Sequence, residues 1–397
     1  MELRCGVARA DITPVEHVPG IPLAGFGFYR RATAVLDPLE AIALHLTDGT
    51  RAVTFVAMDL IGFLYPYVDR LRARLRGAGG AVLPCSTHDH AAPDTIGLWG
   101  RSLFGKFPIR SGVVPEYMQK LQSSLESVVR SAARDVQGVS VRAAQFEVPP
   151  DWFRNDRKGG GKDDFGEVLA FEAPDGRRLA TLVCFAAHPE TLWEHNTFVS
   201  ADYPGALRRR LRELTRAEGL FFSGALGGMV TANVPLSMDV SGRKAAVERL
   251  GAGLAERAVQ ALEAAPVVPV DRLEIRTMPL ELPLQNWRFR VARRLGILER
   301  EFVLDRVRTE MNLVRIGEEV SVLTAPGECT PEVGRELVEC LPGRHRFLFC
   351  LGCDEIGYIL TPEQFANPEY RYEQSMSLGP ATAPALIRAA RDLVGIA

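Results

Sequence analysis

The sequence predicts an α/β protein built of layered, mixed β-sheets flanked by helices. Apolar runs of strand length recur along the whole chain, and amphipathic stretches of helical period lie between several of them. No clear linker splits the chain, so one domain over 1–397 is expected, with a cap insertion at 285–310. The strand-like runs are 53–60, 81–86, 168–171, 180–187, 219–223, 273–284, 312–325 and 346–351. Between them, 65–75 is amphipathic, and 115–136 opens with Pro115 and has Gly138 past its end, as helix boundaries prefer. Further helices are expected over 204–214, 241–263, 331–340 and 381–394. The succession of 273–284 and 312–325 suggests some antiparallel pairing, and no internal repeat is visible in the sequence.

Composition excludes several classes. A hydrophobic fraction of 47% with 24% charged residues is that of a globular chain, not a disordered one. A net charge of −2 lacks the basic excess of a nucleic-acid binder. No run approaches the roughly 18 apolar residues of a membrane span, so no integral membrane segment is expected. The opening residues lack the pattern of a signal peptide, and the seven cysteines are an odd, scattered set that suits reduced thiols; both lead to the expectation of a cytoplasmic protein. Cys350 and Cys353 form one CxxC, without the second pair of a zinc ribbon. The Gly159–Lys162 stretch is followed by Asp163 and Asp164, which would repel phosphate, so it reads as a surface loop rather than a phosphate cradle.

Residues able to bind a metal collect at strand ends. His88 and His90 follow the run 81–86, and in extended chain residues two apart face one side. Alone, that spacing also suits ordinary surface or core histidines. His188 follows 180–187, Glu328 follows the end of 312–325, and Tyr358 lies beyond 346–351. An unpaired carboxylate just past a buried strand is costly, and a metal ion is one partner for it. Sites in layered α/β folds gather at strand carboxyl ends, and two imidazoles with one carboxylate form a donor set typical of catalytic zinc. A serine hydrolase would require a GxSxG elbow, which is absent.

These motifs, in their order, resemble the N-terminal catalytic domain of the neutral/alkaline (non-lysosomal) ceramidases. The stretch Gly6–Pro14 resembles the family's opening, and Asp37-Pro38-Leu39 its next block. Asp59 ends a strand as a family aspartate does. Thr87-His88-Asp89-His90-Ala91-Ala92-Pro93 is similar to the family's Thr-His-Thr-His-Ser-Gly-Pro. His188-Pro189, Ser200–Gly205, Pro326-Gly327-Glu328, Gly357-Tyr358-Ile359 and Tyr372-Glu373 follow in the family's sequence. The resemblance implies zinc held by His88, His188, Glu328 and Tyr358. It implies that His90 contacts substrate or bound water and that Tyr372 hydrogen-bonds the substrate carbonyl or oxyanion. Thr231 stands where the family has a serine before Pro-Asn and keeps a hydroxyl for the site. Asp89 replaces a threonine, Ala91-Ala92 replaces Ser-Gly, and the residues after Tyr372-Glu373 depart from the family's Gly-Ala-Ser. The family's further C-terminal β-sandwich finds no counterpart before Ala397, so the expectation is of the catalytic domain alone.

The expected activity is therefore zinc-dependent cleavage of an amide bond in an N-acylated small molecule or lipid-like substrate. Acyl transfer, or amide or ester exchange, would use the same zinc site, and a non-enzymatic, zinc-stabilised binding protein would close it with four ligands. The segment 285–310 carries Trp287, Phe289, Leu295, Ile297, Leu298 and Phe302 amid charged residues from Arg288 to Glu301, the pattern of an amphipathic insertion able to cap a site. With no membrane segment, the favoured substrate is an amide with an apolar acyl part that is soluble enough to reach the enzyme, rather than membrane ceramide.

Overall fold

A computed structural model describes residues 2–28, 30–103, 107–300, 302–303 and 305–395. Glu301 and the side chain of Phe302, both named in the insertion, lie outside the described residues. The α/β class is as expected, but its organisation has a regularity the sequence hides. In the first unit, β1 (Arg4–Asp11), β2 (Glu40–Thr47) and β3 (Ala52–Met58) pair antiparallel. Helix α1 (Tyr65–Leu75) then crosses to β4 (Ala81–Ser86), which lies parallel to β3, and α2 (Pro115–Arg134) returns over β1 and β2.

The same order follows twice more. β5 (Ser140–Glu147), β6 (Phe165–Glu172) and β7 (Arg178–Phe185) are antiparallel, α3 (Asp202–Thr215) crosses to the parallel β8 (Glu218–Ser223), and α4 (Val240–Glu263) covers β5 and β6. In the third unit β9 (Leu273–Pro283), β10 (Arg306–Ile316) and β11 (Val320–Thr324) are antiparallel. There α5 (Pro331–Glu339) crosses to the parallel β12 (His345–Phe349), and α6 (Thr382–Val394) covers β9 and β10. Helices appear where they do because a parallel strand cannot be reached by a hairpin and needs a crossover. The 312–325 run is thus not one strand: Gly317, at φ +64°, turns the chain between β10 and β11.

The parallel edges of the three sheets meet. Phe222 of β8 stacks on Phe349 of β12 with ring centroids 4.1 Å apart, and Phe55 of β3 packs edge-on at 5.6 Å from Phe349. Just beyond, main-chain bonds tie the strand ends together: Ser86 N–H donates to Leu351 O, Cys350 N–H to Ser223 O, and the Ser223 hydroxyl to Thr87 O at 2.7 Å. The carboxyl ends of β4, β8 and β12 therefore open onto one place. Arg208, on α3 and only 2% exposed, reaches between units to Asp59 and Glu40. Among the described residues, no helix is long and apolar enough to cross a membrane.

Candidate metal centre

His88 follows β4 with a left-handed backbone (φ +65°), an uncommon state for a residue with a side chain and one that collects at functional sites. Its Nδ1 lies 2.7 Å from Ile61 O. His188, fully buried beyond β7, places Nδ1 2.9 Å from Val230 O, while its own N–H donates to the same carbonyl at 2.8 Å. A carbonyl only accepts, so each Nδ1 carries the proton and each Nε2 of the neutral ring presents a lone pair. Both Nε2 atoms stand 3.2 Å from one oxygen, Glu328 Oε2. Lone pairs facing a carboxylate repel unless a cation lies among them. With no cation, protons must fill that role. Burial pulls His88 and His188 down, yet the Glu328 carboxylate leaves both above the ordinary histidine range. Burial likewise pushes Glu328 up, and the two imidazoles overcome it and hold it low. This donor set, with its protons replaceable by a metal ion, fits a divalent cation.

Glu328 sits on the two-residue strand Glu328–Cys329, paired in parallel with Tyr358–Ile359 so that Glu328 and Tyr358 are partners in register. Gly357 precedes Tyr358 at φ +86°, and a Cβ there would lie 1.9 Å from Met376 O, so only glycine admits this approach. Burial and the Glu328 charge hold the Tyr358 hydroxyl well above its ordinary pKa.

His90 joins the group: nitrogens of His88, His90 and His188 lie within 4.8 Å of one another. Its Nδ1 is 3.1 Å from Glu190 Oε2 but outside hydrogen-bond geometry, and neither ring nitrogen has a hydrogen-bond partner. Burial pulls His90 down to about 4, so the ring is neutral at neutral pH. Gly25 makes room for it, since a Cβ there would come within 2.3 Å of the ring. Thr231, on the strand Val230–Ala232, is buried with a hydroxyl that has no hydrogen-bond partner, beside Glu190. Tyr372 lies on the helix Arg371–Ser375, half exposed, with its ring 5.9 Å from that of Tyr358. Desolvation and the Glu328 and Glu190 charges keep its hydroxyl protonated.

Two buried carboxylates escaped the sequence reading. Glu190 stands two residues after His188, the spacing that drew notice to His88 and His90. Burial opposes its charge, but His90, His188 and Thr231 hold its pKa at about 2. Glu355, past β12, has a ligand atom within 4.8 Å of those of His88 and Glu328. The argument applied to a carboxylate beyond a buried strand at Glu328 applied equally to it.

Two cavities converge here. A small inner one of about 60 Å³ is lined by His88, Glu328, Glu355 and Tyr358 with Ile61 and Leu298. A groove of about 740 Å³ runs outward past His90 and Tyr372 to Phe26, Trp99 and the helix Trp287–Arg294. That helix belongs to the segment between β9 and β10. It buries Phe289 and Ala292 and leaves Trp287 and Val291 exposed along the groove.

No protein-family profile matches the sequence, and no curated protein matches it. Seven chains of known structure do. The neutral ceramidase from Pseudomonas aeruginosa matches with a TM-score of 0.79 and 16% identity over 99% of this chain and 74% of that one. A ceramidase complexed with C2 matches with a TM-score of 0.80 and 15% identity over 99% of this chain and 75% of that one. The fold is therefore that of the neutral ceramidases, as the sequence motifs led one to expect.

Proposed function

We propose that this chain is a zinc-dependent hydrolase of the neutral ceramidase family that cleaves the amide bond of an N-acyl substrate with a lipid-like acyl group. One observation carries the reading: two Nδ1-anchored imidazoles aim Nε2 lone pairs at a single Glu328 oxygen. The cation would be held by His88, His188, Glu328 and Tyr358. Zinc in that position would polarise the scissile carbonyl and lower the pKa of a water towards about 7.

The protein's own groups supply the rest. Neutral His90 accepts a proton on Nε2 from the attacking water and returns it to the leaving amine. Glu190, beside Nδ1, balances the charge that forms on the ring meanwhile. Tyr372, kept protonated, donates from its hydroxyl to the developing oxyanion. Thr231, its hydroxyl beside Glu190 and unpartnered, is left to meet the substrate's polar end. The apolar groove takes the acyl chain and excludes water around it, with the helix Trp287–Arg294 as its cap.

The test is a panel of N-acyl amides, from short soluble ones to long-chain ceramide in detergent, assayed with and without chelator and read by mass spectrometry. Release of the acid that stops with chelator and returns with zinc is expected, with the soluble amides favoured. Undiminished cleavage by metal-free protein would overturn the metal mechanism. A strong preference for ceramide would overturn the substrate preference and leave a plain ceramidase.

Two substitutions check the division of roles. His90→Ala is expected to keep much of its zinc and lose most of its rate, because a group that moves protons does not hold the ion. Metal analysis beside turnover decides it, and loss of metal as complete as in His88→Ala would refute the assignment. Tyr372→Phe is expected to lower kcat with KM little changed, by about 2.7–4 kcal/mol in barrier, as removal of one oxyanion donor does elsewhere.

A further inference from the structure

We infer that Glu355 is an additional ligand of the cation held by His88 and Glu328. Its carboxylate is 7% exposed, and of its two oxygens one accepts the Gly357 N–H at 2.8 Å while the other has no hydrogen-bond partner. Glu355 lines the inner cavity together with His88 and Glu328, and one of its carboxylate oxygens lies within 4.8 Å of a ligand atom of each. A buried carboxylate oxygen without a partner is costly, and here a second buried carboxylate faces it. Among the described residues no cation pairs with it. Arg300, the nearest guanidinium along the cavity wall, is spent on the Asp354 carboxylate and on the main-chain oxygen of Glu355 at 2.8 Å. A divalent cation beside Glu328 satisfies both carboxylates at once.

The surroundings fix Glu355 for this purpose. Asp354 is locked by Arg300 and accepts the N–H groups of Tyr65 and Glu355 at 2.9 and 2.8 Å, so the backbone under Glu355 cannot swing. Opposite, Gly62 leaves space that a side chain would take: a Cβ there would lie 2.8 Å from Glu355 Cγ. Arg300 comes from the segment between β9 and β10, so the insertion that caps the groove also braces the metal centre. The donor set becomes two imidazoles, two carboxylates and a tyrosine, richer in hard oxygen and more negative than the set the motifs alone imply.

The inference rests on the metal-centre reading but not on the reaction, and metal binding without substrate separates the two. Metal-free protein is titrated with cobalt(II), reading affinity and the visible d–d bands. Glu355→Gln is expected to lower affinity by more than the ~10-fold that is the least cost of losing an outer partner of a ligand, and to shift the bands. Glu355→Asp, which keeps the buried charge but withdraws the oxygen by one methylene, is expected to shift them too and guards against a Gln variant that does not fold. Unchanged bands in either folded variant overturn the assignment, even with weakened affinity, because they mean Glu355 acts through another ligand. No cobalt binding by the unaltered protein would instead overturn the metal centre itself.

Discussion

His188→Ala will strip the protein of its metal and of its turnover, and His88→Ala will do the same. Each change removes one of two lone pairs that converge on Glu328 Oε2 at 3.2 Å. Losing an outer partner of a ligand costs about 10–100-fold in metal affinity; losing the ligand itself must exceed that. Both imidazoles are buried, so the ligands stand on the floor of the junction between the sheets. The fold nonetheless survives His188→Ala, because the His188 N–H still donates to Val230 O after the ring is gone. A destabilisation of about 1–3 kcal/mol is expected from the lost side-chain bond. Elemental analysis, turnover and circular dichroism on the same sample check it. Active protein without bound metal would end the metal hypothesis.

The largest stability effect is expected far from the chemistry, at Arg208→Met. Arg208 faces the Asp59 carboxylate, with one bond at 2.7 Å, and bonds Glu40 at 3.1 Å. Glu40 keeps Arg9 and Arg212 when Arg208 is lost, but among the described residues Asp59 keeps no cation. Burial already pushes Asp59 above the ordinary carboxylate range despite Arg208, so the variant must fold around a protonated or uncompensated acid. Breaking a buried pair on one side costs about 3–5 kcal/mol. A matching fall in the urea midpoint is expected, partly recovered in Arg208→Met with Asp59→Asn. A midpoint unmoved by the single change would show that Arg208 is not what compensates Asp59.

Much of the fold was legible, and the omissions have causes. The helices at 65–75 and 241–263 lie within a residue of their expected bounds because an apolar stripe marks both, with Pro66 opening the first and Asp239 capping the second. β2 is absent from the apolar runs because Glu40, His45 and Thr47 interrupt it, although nearly all of its residues are buried. β1 is absent because its small and partly exposed residues give too little contrast. The threefold order is invisible in sequence because it repeats a topology, not a set of side chains. At the site, strand-end position and motif singled out His88, His188, Glu328 and Tyr358, since each follows a run that is apolar in sequence. Glu190 and Glu355 were lost because a carboxylate among other polar residues looks like surface until burial is known.

The three units also divide the chemistry among themselves. The first brings His88 and His90, the second His188, Glu190 and Thr231, the third Glu328, Glu355, Tyr358 and Tyr372. No single unit owns a complete donor set, so the centre is a logical conjunction of three. Under the proposed assignment, a chain with one unit still unfolded would lack part of the metal's donor set. On the proposed function, hydrolytic competence would be withheld from the nascent polypeptide until its last sheet has docked.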